Sequence, residues 1–294
     1  MTLLEVTAMF STDDKCREML KRLRWPDAVE CPRCKMPAVD LATAKELFYC
    51  GECDYQFSVT AGTIFNDSHL PLAKWFTATY LMCESRKGMS ANQVKRMLGV
   101  SYKTAWYLCH RIRAAMNQAE RPMLDGKVEM DETYVGGRQR GQNWRRTMKH
   151  KEVVIGIRQR GGDVRFFHAE DAKTGTLAKY IKDNISTDVD VIITDDLPAY
   201  QKAVGDHKHE TVNHSAKEYV RFGTDIHTNT VESAFSLLKR GIIGSWHKIS
   251  AKHLAAYLAE MEFRFNRRKR SDLFIDTLRH MVTAQTLTFQ KLTA

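Results

Sequence analysis

The chain has no run of about 18 apolar residues, the length a membrane-crossing helix requires. Its N-terminus also lacks the charged region and apolar stretch of a secretory signal. These absences predict a soluble protein kept in the cytosol. Acidic residues are in deficit: 35 Asp plus Glu stand against 45 Lys plus Arg, for a net charge of +10 and a pI near 9.2. A surplus of that sign favours polyanions, of which nucleic acid is the commonest in a cytosol. The seven cysteines do not form a disulfide framework, since four make one pattern and Cys16, Cys83 and Cys109 are scattered; the mixture suits a reducing compartment. With 294 residues, 43% of them hydrophobic, the chain can build two or three domains around a real core.

The patterned cysteines are Cys31-Pro-Arg-Cys34 and Cys50-Gly-Glu-Cys53. Two close thiolate pairs, each on a tight turn, can converge on one tetrahedral Zn²⁺, with the alternative of four free or redox-active thiols. Aromatic residues at Phe48-Tyr49 and Tyr55-Gln56-Phe57 fit short strands linking two knuckles. Four sulfur ligands leave no open coordination position, so such a zinc is structural. A helix over residues 12–24 precedes this ribbon, and the two together span 1–60.

Residues 61–120 read as a helical segment. Helical apolar spacing runs from Leu72 through Cys83. Ser90 then caps a helix over 91–98, Gly99-Val100-Ser101 turns the chain, and a further helix spans 102–115. Two helices joined by a short Gly-containing turn match the helix-turn-helix pattern. In that geometry Ser101, Tyr102, Lys103, Thr104 and Tyr107 face a major groove, with Arg111 and Arg113 near phosphates. The alternative is a helical hairpin burying Val94, Leu98, Ala105 and Leu108.

The region 125–270 alternates strands and helices. Residues 128–135 (Val-Glu-Met-Asp-Glu-Thr-Tyr-Val) have strand period, carry Asp131 mid-strand and end in Gly136-Gly137. Val128 and Met130 alternate against Glu129, Asp131 and Thr133, the period of a strand with one face packed; a buried carboxylate at its centre wants a proton, a cation or a metal, and the alternative is a solvent-facing acid on an edge strand. Strands over 153–157 and 164–167 follow, then a helix over 176–184, a β-branched buried strand over 189–194, a helix over 199–204 and a short strand near Thr211-Val212. That order is an α/β arrangement of the ribonuclease H-like kind. Asp195 closes the fourth strand, where ligands bind in open α/β sheets; capping of the next helix is the alternative for it and for Asp196. Next comes a helix with Val231, Phe235 and Leu238 on one stripe, while Glu232 and Lys239, seven residues apart, share a side. Asn229 lies three residues before Glu232, near the same face.

A basic stretch with Arg138, Arg140, Arg145, Arg146, Lys149 and Lys151 follows the first strand, placed to hold phosphate or simply solvated. Trp246 either stacks on a base or packs. Residues 251–265 form an amphipathic helix expected to cover the sheet, and 271–294 form a C-terminal helical tail. His207, His209 and His214 are too loosely spaced to be a strong metal motif.

Asp131 in "VEMDETYVGGR", Asp195 in "IITDDLPAY" and Glu232 with Lys239 in "HTNTVESAFSLLKR" resemble the two Asp, the Glu and the trailing Lys of DDE transposases. The closest likeness is to insertion-sequence transposases of the ISXO type, which couple a zinc ribbon to a ribonuclease H-like catalytic domain. "AGTIFNDSHLPLAKWF", "GIIGSWHKIS" and "EFRFNRR" extend the likeness over nearly the whole chain. The resemblance implies a multidomain α/β protein of the bacterial cytoplasm, associated with the nucleoid. It implies cleavage of the inverted-repeat ends of a mobile element and their transfer into target DNA, acting as a homodimer or larger assembly on DNA. Two Mg²⁺ ions would be held by Asp131, Asp195 and Glu232, with Lys239 and Arg240 on DNA. Asn229 is the other candidate for the third catalytic position; Glu232 is preferred because its spacing to Lys239 matches the family and a carboxylate is the better Mg²⁺ ligand. Competing readings are a catalytically inactive DNA-binding regulator and a nuclease that does not join strands.

Overall fold

Thr2 opens the first helix, α1 (Leu3–Met9), with a reciprocal cap: its hydroxyl accepts from the Glu5 N–H while its own N–H donates to the Glu5 carboxylate. The computed structural model describes residues 1–41, 46–117, 121–136, 151–216 and 218–294. It divides into two units, residues 1–117 with 269–294 and residues 118–268.

In the first unit Thr12 caps α2 (Asp13–Arg24), which carries Asp13 and Asp14 in its first turn and Lys21, Arg22 and Arg24 in its last, each matched to the helix dipole. Strands β1 (Val39–Leu41), β2 (Leu47–Cys50) and β3 (Tyr55–Phe57) form a three-stranded antiparallel sheet. Trp25, just past α2, packs edge-on against Phe48 and Phe57, so the helix and the small sheet share one aromatic core. Helices α3 (Leu72–Glu84), α4 (Ala91–Leu98) and α5 (Tyr102–Met116) follow. Gly99 ends α4 in the left-handed region, φ 61°, and Ser101 caps α5 by accepting from the Thr104 N–H.

The second unit is built on a five-stranded sheet. Its strands are β4 (Lys127–Val135), β5 (Glu152–Gln159), β6 (Val164–Ala169), β7 (Val191–Asp195) and β8 (His209–Val212), in the order β6-β5-β4-β7-β8. The first three are antiparallel; β7 and β8 run parallel to β4. Helices α6 (Thr174–Asn184) and α7 (Pro198–Ala203) cover one face. There Val128, Met130, Ile155, Ile157 and Ile192 pack with Leu177, Ile181 and Tyr200. Helices α8 (Asn229–Gly241) and α9 (Ala251–Asn266) cover the other, where Val135, Val154 and Phe166 meet Val231, Phe235, Leu238, Leu258 and Met261.

Strand β4 is therefore central and covered on both sides, unlike the one-sided strand its alternation suggests. Gly156, the β5 partner of Asp131, lets α8 approach: a Cβ there would lie 2.6 Å from the Phe235 ring. Between α8 and α9 the chain makes a π-type turn, Ile242–Trp246, and Trp246 is buried edge-on to Tyr257.

The chain then rejoins the first unit through α10 (Leu273–Thr283) and α11 (Phe289–Thr293). The segment expected as a separate tail does not stand apart. Phe274 packs against Phe10, Phe76 and Tyr80, and Met281 and Thr277 meet Thr79 and Cys83. Among the described residues no helix is long and apolar enough to cross a membrane.

Candidate metal centres and nucleic-acid interface

The four patterned cysteines come together. Cys31 and Cys53 sulfurs lie 3.6 Å apart, Cys34 and Cys50 sulfurs 3.5 Å apart, and all four fall within 4.8 Å of one another. A tetrahedral zinc with Zn–S bonds of about 2.3 Å sets its sulfurs about 3.8 Å apart, so the donor set fits that ion. Lys35 and Asp54 take positive φ (64° and 49°) just past each pair, which is how two knuckles fold back on one centre. Burial works against the Cys31 thiolate, but the Cys34 and Arg33 N–H groups and the neighbouring thiols outweigh it and bring its pKa down to about 6. Burial and the Cys31, Cys34 and Cys50 sulfurs push Cys53 up to about 12.

The second cluster grows from β4. Glu129, Asp131 and Thr133 share the face covered by α8, by the period of two along a strand. Glu129 is fully buried, and its carboxylate is saturated. One oxygen accepts from Arg160 Nε at 2.7 Å, and the other accepts from the backbone N–H groups of Thr230 and Val231, both at 2.9 Å. It thus caps the N-terminus of α8 from the neighbouring strand, where the helix dipole favours an anion. Arg160 also donates to the Asp225 and His227 carbonyls, and His227 Nδ1 lies 3.3 Å from Glu129. His227 therefore orients this clamp. None of this was read from the sequence; the available signal was that the period of two puts Glu129 on the same face as Asp131.

Two residues further along the same face lies Asp131. The β4–β7 register ends by pairing Glu129 with Ile193, and continuing it two residues sets mid-strand Asp131 level with Asp195, the last residue of the parallel neighbour β7. Glu232 sits one turn into α8, the helix Glu129 caps. The Thr228 hydroxyl donates to it at 3.1 Å and His214 Nδ1 lies 3.4 Å away. Burial pushes the Asp131 carboxyl up to about 8, and the charges of Glu132, Asp195 and Glu232 add to that against one opposing Glu132 N–H. Asp195 is also raised, by burial, with the Leu197 N–H and His214 pulling the other way.

Among the acids Asp131, Asp195 and Glu232, the burial and neighbouring charge that raise Asp131 are what a bound cation would relieve. These three stand further apart than the cysteine sulfurs, since among the described residues only the cysteines gather within 4.8 Å. Glu132 points to the opposite face, where the buried Tyr200 hydroxyl donates to it at 2.9 Å. His209 bonds Thr194 and His214 bonds Thr228, so the histidine group does not converge.

Asn229, at the first turn of α8, is exposed. Lys239 and Arg240 are also exposed, and Lys239 lines a cleft of about 530 Å³ with Tyr134, Val135, Ile242 and Lys248. Arg145 and Arg146 lie outside the described residues. On α5, Lys103 is exposed, with its ammonium 4.5 Å from the centre of the Phe289 ring, and Thr104 is half-buried against Ser101. The Tyr107 hydroxyl donates to the Leu287 carbonyl at 2.6 Å. Arg111 and Arg113, expected near phosphates, are only 2% and 1% exposed; Arg111 donates to the Asn66 carbonyl and lies over Trp75. Val94, Leu98, Ala105 and Leu108 are all buried, so the helix pair has a core as well as its exposed N-terminal turn.

A zinc ribbon and a ribonuclease H-like mixed sheet carrying acids on two parallel neighbours and a covering helix make the architecture of a DDE-type transposase. Comparison with known proteins agrees. The ISXO2-like transposase domain matches residues 123–266, and the transposase zinc-ribbon domain matches residues 11–56. A protein described as uncharacterized, in transposable element ISH50 of Halobacterium salinarum, is 30% identical over 275 residues, covering 87% of this chain and 91% of that one. The chain belongs to the ISXO2-like transposase family. The crystal structure of the Mos1 strand transfer complex is a distant likeness: 11% identity and a TM-score of 0.31, over 71% of this chain and 74% of that one.

Two outcomes are expected. Metal analysis of the purified chain should find one zinc, which Cys50→Ser loses together with hydrogen-exchange protection across residues 47–57; full zinc retention in that variant would contradict the four-sulfur site. For Asp131, the folded value near 8 stands above the ordinary 3.8, so the folded state holds the extra proton between those limits. Without divalent cation at the acids, stability should therefore fall as pH rises from about 4 to about 8. Thermal unfolding should show a shallower fall in Asp131→Asn, and identical slopes would contradict the shift.

Proposed function

We propose that this chain is a metal-dependent DNA transposase that cleaves at the ends of its mobile element and transfers the freed ends into target DNA. The observation that carries the reading is the convergence of Asp131, Asp195 and Glu232 from two parallel strands and a capped helix, in a chain of the ISXO2-like transposase family.

Asp131, Asp195 and Glu232 are the residues that would hold two Mg²⁺ ions. Bound there, such ions supply activation of an attacking oxygen and stabilisation of a leaving one in an in-line displacement at phosphorus. The protein's own groups do the rest. Glu129 and Arg160 fix the angle at which α8 presents Glu232. Thr228 and His214 hold the Glu232 carboxylate in one orientation. Lys239, exposed two helical turns beyond Glu232, is on hand for a phosphate. One site can serve both steps, because water and a 3′-hydroxyl attack phosphorus in the same manner.

DNA recognition is assigned to the exposed start of α5, with Lys103 and Thr104, together with Tyr107 and the basic residues of the catalytic unit, Arg145, Arg146 and Arg240 among them. Arg111 is given a structural role, because its guanidinium is spent on Asn66 and Trp75. Zinc in the ribbon is structural. Pairing of two DNA ends implies at least a homodimer on DNA, in the cytosol where the element resides.

The test is cleavage and joining of a labelled element end with Mg²⁺ or Mn²⁺. Wild type should yield joined product, Asp131→Asn, Asp195→Asn and Glu232→Gln should each lower it by a factor of at least about 10³, a loss of about 4 kcal/mol in transition-state stabilisation, and Asn229→Ala should retain it. Cleaved but never joined ends would favour the nuclease. Specific binding without any cleavage would favour the regulator. Loss in Asn229→Ala with retention in Glu232→Gln would move the third position to Asn229.

A further inference from the structure

Between β8 and α8 the chain makes a turn whose backbone is held tightly while its apolar side chains are left in water. The Arg221 N–H donates to the Ile226 carbonyl at 3.0 Å, the Thr224 N–H and hydroxyl donate to the Arg221 carbonyl at 3.1 and 2.8 Å, and Gly223 takes a positive φ of 70°. The Arg221 guanidinium reaches back to Glu210 and the Thr211 carbonyl on β8. Asp225 is tied to Lys127 and Arg160, and so to the clamp around Glu129. Phe222 on this turn is 100% exposed, and Tyr219 and Val220, which lead into it between Arg221 and the Glu218 N–H that donates to the Asn213 carbonyl, are 59% and 45% exposed.

Single exposed apolar residues are ordinary on a protein surface. Three within four positions, on a segment bonded at both ends, are a presented surface. Its location is also specific: the Tyr219 ring lies 5.7 Å from the His214 ring, edge to face, and His214 Nδ1 lies 3.4 Å from Glu232. The aromatic surface begins one imidazole away from the carboxylate cluster.

We infer that Tyr219 and Phe222 form a stacking platform for an unpaired base of the DNA strand whose phosphate lies at Asp131, Asp195 and Glu232. This rests on the DNA-processing reading above. A nucleotide with its phosphate at the acids must place its sugar and base within reach of what surrounds them. An exposed aromatic ring takes up a base by its face, whatever the sequence. The bracing matters because a ring on a fixed backbone loses little freedom on stacking. A second copy of this chain covering the same patch is the competing occupant, which the test separates.

The experiment measures binding of the full-length, zinc-loaded protein, in Ca²⁺, to duplex element ends. An abasic nucleotide is moved one position at a time through the sites flanking the cut. Phe222→Ala and Tyr219→Ala should weaken binding to the intact end by about tenfold. That loss should vanish on the one substrate lacking the stacked base, and Phe222→Trp should bind like wild type. An equal loss on intact and abasic ends, or no loss, would overturn the platform. So would a Phe222→Ala variant whose sedimentation shifts to a smaller species with unchanged end binding, which would assign the patch to a protein interface. Cleavage by wild type is scored separately in Mg²⁺: cutting without the abasic dependence sinks only this inference, whereas an absence of cutting sinks the transposase reading itself.

Discussion

A buried carboxylate decides the geometry of the second unit. Glu129 sits inside the sheet-to-helix interface with no exposed surface, and it is tolerable there only because Arg160 Nε and two helix N–H groups donate to it. Removing one side of such a buried arrangement costs about 3 to 5 kcal/mol, because the partner charge is left uncompensated. The same bonds that make the burial affordable fix the register of α8 against β4. Asp131 lies two residues from Glu129 on the strand, and Glu232 lies one residue past the N–H groups it caps. The spacing of two proposed metal ligands is thus set by a residue that holds no metal.

That constraint explains other choices nearby. Gly156 has no side chain because Phe235 of α8 occupies the space, opposite Asp131 in the ladder. His227 and Asp225 come from the segment before α8 and bond to Arg160, so the loop leading into the helix is anchored through the same guanidinium. The acids left over, Asp131 and Asp195, are raised in pKa by their burial and neighbours, a condition a divalent cation relieves.

Much of this was legible from residue patterns. The four-cysteine spacing, the capped helix over 91–98 and the helix over 102–115, and the strand-helix order of the α/β unit follow from local rules of turns, caps and periodicity. Alternation in 128–135 separates the two faces of β4 but cannot say that both are covered; that depends on α6 and α7 packing on one face and α8 and α9 on the other, which only the tertiary fold supplies. Glu129 therefore reads as solvent-facing. Arg111 misleads for the opposite reason. It continues the stripe of Lys103 and Tyr107 at a spacing of four, yet Trp75 and Asn66, distant in sequence, claim its guanidinium. Helix α10 has clear apolar periodicity, but nothing local says that Phe274 and Met281 complete a core begun by Phe10 and Phe76.

The most direct test of the account is the affinity of Mn²⁺ for the zinc-loaded protein, measured by titration calorimetry in wild type and in Glu129→Gln, which keeps the shape of the side chain and removes its charge. With the fold verified by circular dichroism, the variant should bind Mn²⁺ at least about tenfold more weakly, because Glu232 is no longer held over Asp131 and Asp195; effects of 10- to 100-fold are usual for residues that orient metal ligands. Unchanged Mn²⁺ affinity in a folded Glu129→Gln protein would show that the clamp supports the helix without setting the site.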